Sequence, residues 1–594
     1  MRNTMRLGLC LFALLLFTAS FAAAQETPAA ELLDGLDEFI EGLLEEWEVP
    51  GLAIAVVKDG EVIYSEGFGL RDVEQGLPVT PRTLFAIGST TKAFTVMAMG
   101  MLVDEGKLAW DTPVIDYMPD FRLYDEYATA HMTPRDLVCH RSGLPRHDLM
   151  WYGSPLSRRE LYERLRYLEP SEGFREVWQY QNLMFMTAGY LVGQVADTSW
   201  EELVRERIFE PLGMSDSNFS VTDSQETDDF ALPYGESDDE LELVPFRNID
   251  DIGPAGSINS NVEEMARWIM LHLNEGMVGE TRLVVENTLA EMHMPQMAIR
   301  QPARYAETPL SCYSLGWFIT PYRGHHMLQH GGGIDGFVTL VSFMPFDNIG
   351  VVVLTNEAPN PLPLIVTFNV YDRLLGLDSV DWNGRFREEI EEAEEEEDEG
   401  EEEADPNRQA GTMPSHTLAD YAGEFEHPGY GLMSVTLEDD VLSVHYNGGD
   451  VELEHYHYDV FRITGDEFED IRITFGMNES GDIETASVPL QEGVSPIVFT
   501  RLPEEAMFSR EFLEQFVGEY ELEELVVTID LRGENTLVAI ITGQPTYELE
   551  PMQGTQFSLR DLPGFSIEFL LDEEGNVTGA AVTQPNGVFT ATRR

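Results

Sequence analysis

The 594-residue chain is too long for one hydrophobic core, and with 43% hydrophobic and 10% aromatic residues it can bury several without metals or a disulfide framework. Its 107 acidic and 36 basic residues give a formal charge of −71, a field that excludes nucleic acid and an anionic membrane surface as partners. Only Lys58, Lys92 and Lys107 represent lysine, and so many hydrated carboxylates with so little lysine point to a halophilic protein, adapted to high salt.

In chain order, Arg2 and Arg6 precede the apolar stretch Leu7 to Phe21, and Ala22-Ala23-Ala24 offers a small-residue cleavage site. Residues 1–24 therefore read as a removable export signal, too short to remain as a stable membrane anchor, and the mature protein is expected in the periplasm or outside the cell. Cys10 leaves with that segment. The remaining Cys139 and Cys312 are too few for a disulfide framework and leave one bridge open. His455 and His457 have no thiol neighbours at zinc spacing, so no metal and no cofactor is expected.

From Val49 an apolar run turns at Lys58-Asp59-Gly60-Glu61 into Val62-Ile63-Tyr64, a hairpin signal. The stretch from Leu84 to Trp268 is richer in helical patterns; in it Ser260-Asn261-Val262-Glu263 reads as a capping box opening a helix over Glu264 to Leu273. A second hairpin runs from Phe337 to Met344, turns at Pro345 to Asn348 and returns to Leu354. Strands at both ends of a long helical middle predict an α+β domain over residues 30–380, in which the two ends pair in one antiparallel sheet.

Glu388 to Asp405 is almost wholly acidic, which predicts a solvated linker over 386–412, with at most a short helical start. Beyond it the pattern Leu418-x-x-Tyr421-x-Gly423-x-Phe425 recurs as Leu513-x-x-Phe516-x-Gly518-x-Tyr520. Two β-rich, barrel-like modules, 413–505 and 506–594, account for the repeat.

Three short elements carry chemistry. In Ser89-Thr90-Thr91-Lys92, at the start of a helix-compatible run, serine and lysine fall one turn apart; a desolvated amine there can accept the hydroxyl proton. In a chain that has shed nearly all lysine, one is kept where an always-charged arginine could not act as a base. In Tyr180-Gln181-Asn182 a tyrosine facing Lys92 can shuttle the proton if a cation lowers its pKa, while the amide binds substrate. In His330-Gly331-Gly332-Gly333 the glycines let a substrate backbone lie against the strand edge and leave amide N–H groups free for an oxyanion hole, partnered by Ser89 N–H.

The order S-x-x-K, Y-x-N, H-x-G resembles the serine β-lactamase and penicillin-binding-protein superfamily, more narrowly the branch of class C β-lactamases, D-alanyl-D-alanine carboxypeptidases, D-aminopeptidases and related esterases. Val138 to Pro145 and Gly331 to Gly336 add to the resemblance, which spans Leu33 to Leu377. It implies a helical lobe beside the α+β domain, an acyl-enzyme on Ser89, proton exchange through Lys92 and Tyr180, substrate binding by Asn182, and His330, Gly332 and Gly333 along the opposite wall. A Lys-Thr-Gly at the third element would supply a permanent cation; His330-Gly331-Gly332 does not, which shifts the reading from β-lactams toward small-molecule amides, peptides or esters. The alternative is a catalytically silent relative that binds cell-wall peptide. Substrate choice would sit in loops around Tyr152 and Phe246, and the C-terminal modules would cover the cleft or build a homo-oligomer.

Overall fold

The computed structural model describes residues 29–237, 240–401, 408–464, 471–478, 481–522, 525–572 and 574–594, with backbone alone at 29–30 and 394–401. The export signal read at residues 1–24, and the part of the acidic stretch over 402–407, lie outside the described residues.

The N-terminal hairpin is β1 (Gly51–Lys58) and β2 (Glu61–Asp72), followed by the short β3 (Leu77–Pro78). Late in the domain come β4 (Met297–Ala298), β5 (Cys312–Tyr313), β6 (Phe318–Ile319), β7 (Leu328–Ile334), β8 (Phe337–Met344) and β9 (Ile349–Thr355). They form one antiparallel sheet in the order β4-β5-β6-β7-β8-β9-β1-β2-β3. Leu52 opposite Thr355 and Lys58 opposite Ile349 mark the register where the two chain ends pair, as expected.

Burial on both faces explains why β1 is a continuous apolar run. Leu52, Ile54 and Val56 meet α1 (Leu36–Glu46) and α5 (Leu362–Leu374) on one side. Ala53, Ala55 and Val57 face the core of α2 (Lys92–Asp104), α3 (Asn182–Ala196) and α4 (Val262–Leu273) on the other. Each fully buried Leu or Ile contributes about 1.5–3 kcal/mol.

The helix α4 begins two residues earlier than the capping-box reading placed it. Asn261 is the cap, accepting from Glu264 N–H at 3.0 Å. The Glu264 carboxylate is drawn instead to Asp216 N–H, Ser217 N–H and the Ser217 hydroxyl, a tertiary claim stronger than the local box.

The helix α6 (Trp382–Glu401) buries Trp382 and Phe386 against the outer layer before its sequence turns acidic. The C-terminal region forms two closed eight-stranded barrels, from Gly423–His427 to Ile497–Arg501 and from Gly518–Leu522 to Gly587–Arg593. The repeated Tyr421 and Phe516 plug equivalent ends. The first barrel's core is continuous with that of the helical region, whereas the second barrel has its own.

Candidate active site

A single turn over Gly88–Thr91 leads from the two-residue strand Phe85–Ala86, paired with Asn259–Ser260 apart from the large sheet, into α2, which is apolar on every face and buried from Lys92 to Leu102. Lys92 is thus a solitary amine inside a core helix. Its Nζ lies 2.9 Å from Ser89 Oγ, 2.8 Å from Asn182 Oδ1 and 2.8 Å from the Ala255 carbonyl. Burial, helped by the Arg146 charge and opposed by Asp148, holds the amine well below its ordinary value. A neutral amine has two N–H groups and one lone pair. Asn182 Oδ1 and the Ala255 carbonyl can only accept, so they take both N–H groups, and the lone pair is left facing the Ser89 hydroxyl.

Asn182 opens α3, capped by Gln181, whose side chain accepts from Leu183 N–H at 2.6 Å. Both polar atoms of its side chain are engaged: Oδ1 receives Lys92, and Nδ2 donates to Asp148 Oδ1 at 2.9 Å. Asp148 in turn pairs with Arg146 at 2.5 Å and accepts from Trp151 Nε1 at 2.8 Å. Sequence reasoning missed Arg146 and Asp148; the only local signal is a charged pair just after Gly143-Leu144-Pro145.

Tyr180 shares a hydrogen bond with Ser89, and its ring centroid is 4.7 Å from Lys92 Nζ. Burial pushes its phenol up, although the Ser89 hydrogen bond and Arg146 act the other way. The lowered pKa that the sequence reading required does not arise, because desolvation outweighs the nearby cation. Tyr180 is thereby pushed toward its protonated form and Lys92 toward its neutral form, two groups displaced in opposite senses by one dry environment. His140 packs on the Tyr180 ring at 4.3 Å and accepts from Gln181 N–H at 3.0 Å, fixing the segment.

His330 is 1% exposed and sits behind Tyr180, outside the residues that line the cleft. Its Nδ1–H donates to the Gly331 carbonyl (2.6 Å), leaving Nε2 to accept from Tyr313 (3.0 Å). Burial, with Lys92 nearby, lowers it to about 3, so it is a neutral packing group.

The glycines act by close approach. A Cβ on Gly332 would meet the Ile87 carbonyl at 2.1 Å, and one on Gly88 would meet Gly333 N at 2.9 Å. The β7–β8 turn has φ of 32° at Asp335 and 77° at Gly336, the two positive values of a type I′ hairpin. Ile334 and Phe337 then close the ladder, and the alternation of paired residues directs Gly333 N–H away from β8, on the strand edge that lies against Gly88.

Ser89, Asn182, Gly333, Arg146, Asp148 and Tyr152 line a cleft of about 460 Å³. Phe246 lines a recess beside it. The first barrel grips the loop carrying Arg146, Asp148 and Tyr152. Tyr446 OH donates to the Leu149 carbonyl at 2.9 Å, and Asn447 Nδ2 donates to the Leu149 and Tyr152 carbonyls at 2.7 and 3.1 Å. Cys139 is buried, Cys312 is partly buried, and both are free thiols.

Residues 36–368 match the Beta-lactamase family. The chain belongs to that family. Residues 407–501 match a domain of unknown function, DUF3471. Within curated proteins, the unguisins hydrolase ungD′ of Aspergillus campestris is 30% identical over 428 residues, covering 68% of this chain and 77% of its own length. The unguisins hydrolase ungD of Aspergillus violaceofuscus is 30% identical over 429 residues, covering 66% and 75%. The octameric penicillin-binding protein homologue from Pyrococcus abyssi shares the fold at a TM-score of 0.52 and 22% identity, covering 80% of this chain and 100% of that one.

Proposed function

We propose that this chain is a serine hydrolase that cleaves an amide, peptide or ester bond through an acyl-enzyme on Ser89. The observation that carries the reading is the Lys92 amine, buried, held by two acceptors and 2.9 Å from Ser89 Oγ. The family match and the relatives named hydrolases support the same reaction class.

In this reading Ser89 Oγ attacks the substrate carbonyl as its proton passes to Lys92 Nζ, and the carbonyl oxygen gains negative charge between Ser89 N–H and Gly333 N–H. Collapse breaks the carbonyl bond to nitrogen or oxygen, Tyr180 protonates the leaving group, and the Lys92 proton restores Tyr180. Water then repeats the steps on the ester and frees Ser89. Asn182 orients Lys92 and Asp148, so its effect on substrate runs through them.

Neutral His330 offers no permanent charge, and Arg146, the cation in the cleft, is tied to Asp148. That supports amide, peptide or ester substrates over β-lactams that need a carboxylate partner. The names of the unguisins hydrolases make unguisins a first substrate to try.

Intact-mass spectrometry after incubation with a fluorophosphonate or a short-chain acyl ester tests the reading. Wild type gains one adduct and Ser89→Ala gains none. An adduct on both proteins, or on neither while both are folded, overturns it.

A further inference from the structure

The first barrel is only half filled. At one end Tyr421, Phe461 and Phe475 pack ring on ring, with centroids 5.0–5.7 Å apart. At the other end is a cavity of about 380 Å³ walled by Met433, Val444, Val451, Ile463, Ile473 and Val488. An eight-stranded barrel is of the size at which the interior is either closed by side chains or holds one small ligand. The volume falls within the range of ligand pockets.

The walls carry only hydrocarbon and thioether groups; the polar side chains, Tyr152, Arg247, Tyr446 and Asn447, belong to the mouth. A carboxylate or ammonium drawn inside would lose its hydration and find no partner there. An uncharged apolar chain is the occupant that this chemistry accepts.

The mouth adjoins the Ser89 cleft. Tyr152 lines both spaces, with its hydroxyl donating to Asp335 at the β7–β8 turn and its ring centroid 3.9 Å from the Arg247 guanidinium. Arg247 lines both the cavity and the recess beside the cleft. The apolar cavity and the Ser89 cleft thus share one aromatic wall at Tyr152, past which a chain attached to a carbonyl at Ser89 would reach the barrel.

We propose that the open half of the first barrel receives the uncharged apolar chain of the ester or amide substrate, making the barrel a specificity element of the Ser89 site. The assignment rests on the hydrolase reading above. It makes the enzyme selective for substrates with a long alkyl or aryl arm, by burial alone.

The test separates binding from turnover. Full-length Ser89→Ala, which cannot turn substrate over, is titrated with N-phenyl-1-naphthylamine, an uncharged probe that this acidic protein does not repel. The bound probe is then displaced with esters lengthened on the acyl side or on the alcohol side. One probe binds per chain, and displacement strengthens about fourfold per added methylene, the ratio equivalent to ~0.8 kcal/mol per buried CH₂, until the cavity is full. Leu490→Trp and Val451→Trp, which fill the cavity from partly exposed positions, abolish the probe signal while melting as folded proteins; either variant alone suffices if the other fails to fold. In the wild-type background the same substitutions flatten the dependence of kcat/KM on chain length.

Probe binding that survives both fillings, or displacement and rates that ignore chain length on both sides of the ester, overturns the assignment. So does a probe that binds in the cavity without competing with any ester, which would make the occupant an effector separate from substrate. If Ser89 takes no adduct in the mass experiment above, the hydrolase reading fails, while the displacement arm still reports on the cavity.

Discussion

At the scale of the residue, the site turns on the opposed displacement of two protons. Lys92 is lowered by burial, and in the proposed mechanism it takes the Ser89 proton only when neutral, so kcat/KM is expected to rise with pH through the lysine's folded pKa and to fall below it. Because that pKa lies well below 10.5, the acid limb falls far below the pH at which an ordinary lysine would put it. His330, at about 3, stays neutral and adds no inflection above pH 5. A pH–rate series on wild type and His330→Leu checks both statements: the limb keeps its midpoint in the variant while kcat drops as Tyr313 loses its acceptor. A limb that moves with His330 would mean the histidine titrates in the site. Ser89, Lys92 and Tyr180 were legible in the sequence because each pattern needs only local spacing. The Arg146–Asp148–Asn182 chain and the Ala255 carbonyl were not, since they meet Lys92 only through packing between distant segments. The direction of the Tyr180 shift was misjudged for a related reason: spacing reveals a nearby cation but not how dry the pocket is.

At the scale of the element, the loop from Arg146 to Tyr152 is held by the first barrel, and that dependence has no local signature: Asn447 and Leu149 are 298 residues apart. The hairpins of the central sheet and the duplicated barrels were legible, because alternation, turn residues and repetition are short-range. The two barrels differ in what they support. The first shares its core with the helical region, and the second packs around its own Phe516, Phe557 and Phe569. A chain ending after Pro503 therefore retains wild-type kcat/KM, whereas one ending before Thr417 loses it. Asn447→Ala strips donors from two loop carbonyls, at a cost of about 1–2 kcal/mol, and lowers kcat/KM by roughly tenfold. Steady-state kinetics beside melting curves check this, since a loss explained by global unfolding would appear in the melt.

At the scale of the whole molecule, the excess of acid over base sets how stability answers salt. Exposed pairs such as Arg560 with Glu550 and Arg510 with Glu514 weaken as salt screens them, but each is worth little. The surplus of 71 negative charges cannot be paired by any arrangement of the basic residues present, and its self-repulsion opposes the compact state. Screening shortens the Debye length from ~10 Å at 0.1 M to ~3 Å at 1 M, which removes repulsion between neighbouring carboxylates faster than it weakens the close ion pairs. The melting temperature accordingly rises between low and molar potassium chloride. A gain of about 2 kcal/mol in the domain over residues 30–380 corresponds to roughly 3 °C, at about 2.1 cal/mol/K of unfolding entropy per residue. Scanning calorimetry in potassium chloride, with a matched series in an uncharged osmolyte, separates screening from general exclusion of solute. A melting temperature highest in dilute buffer would show that ion pairs outweigh the net charge and would end the case for salt adaptation.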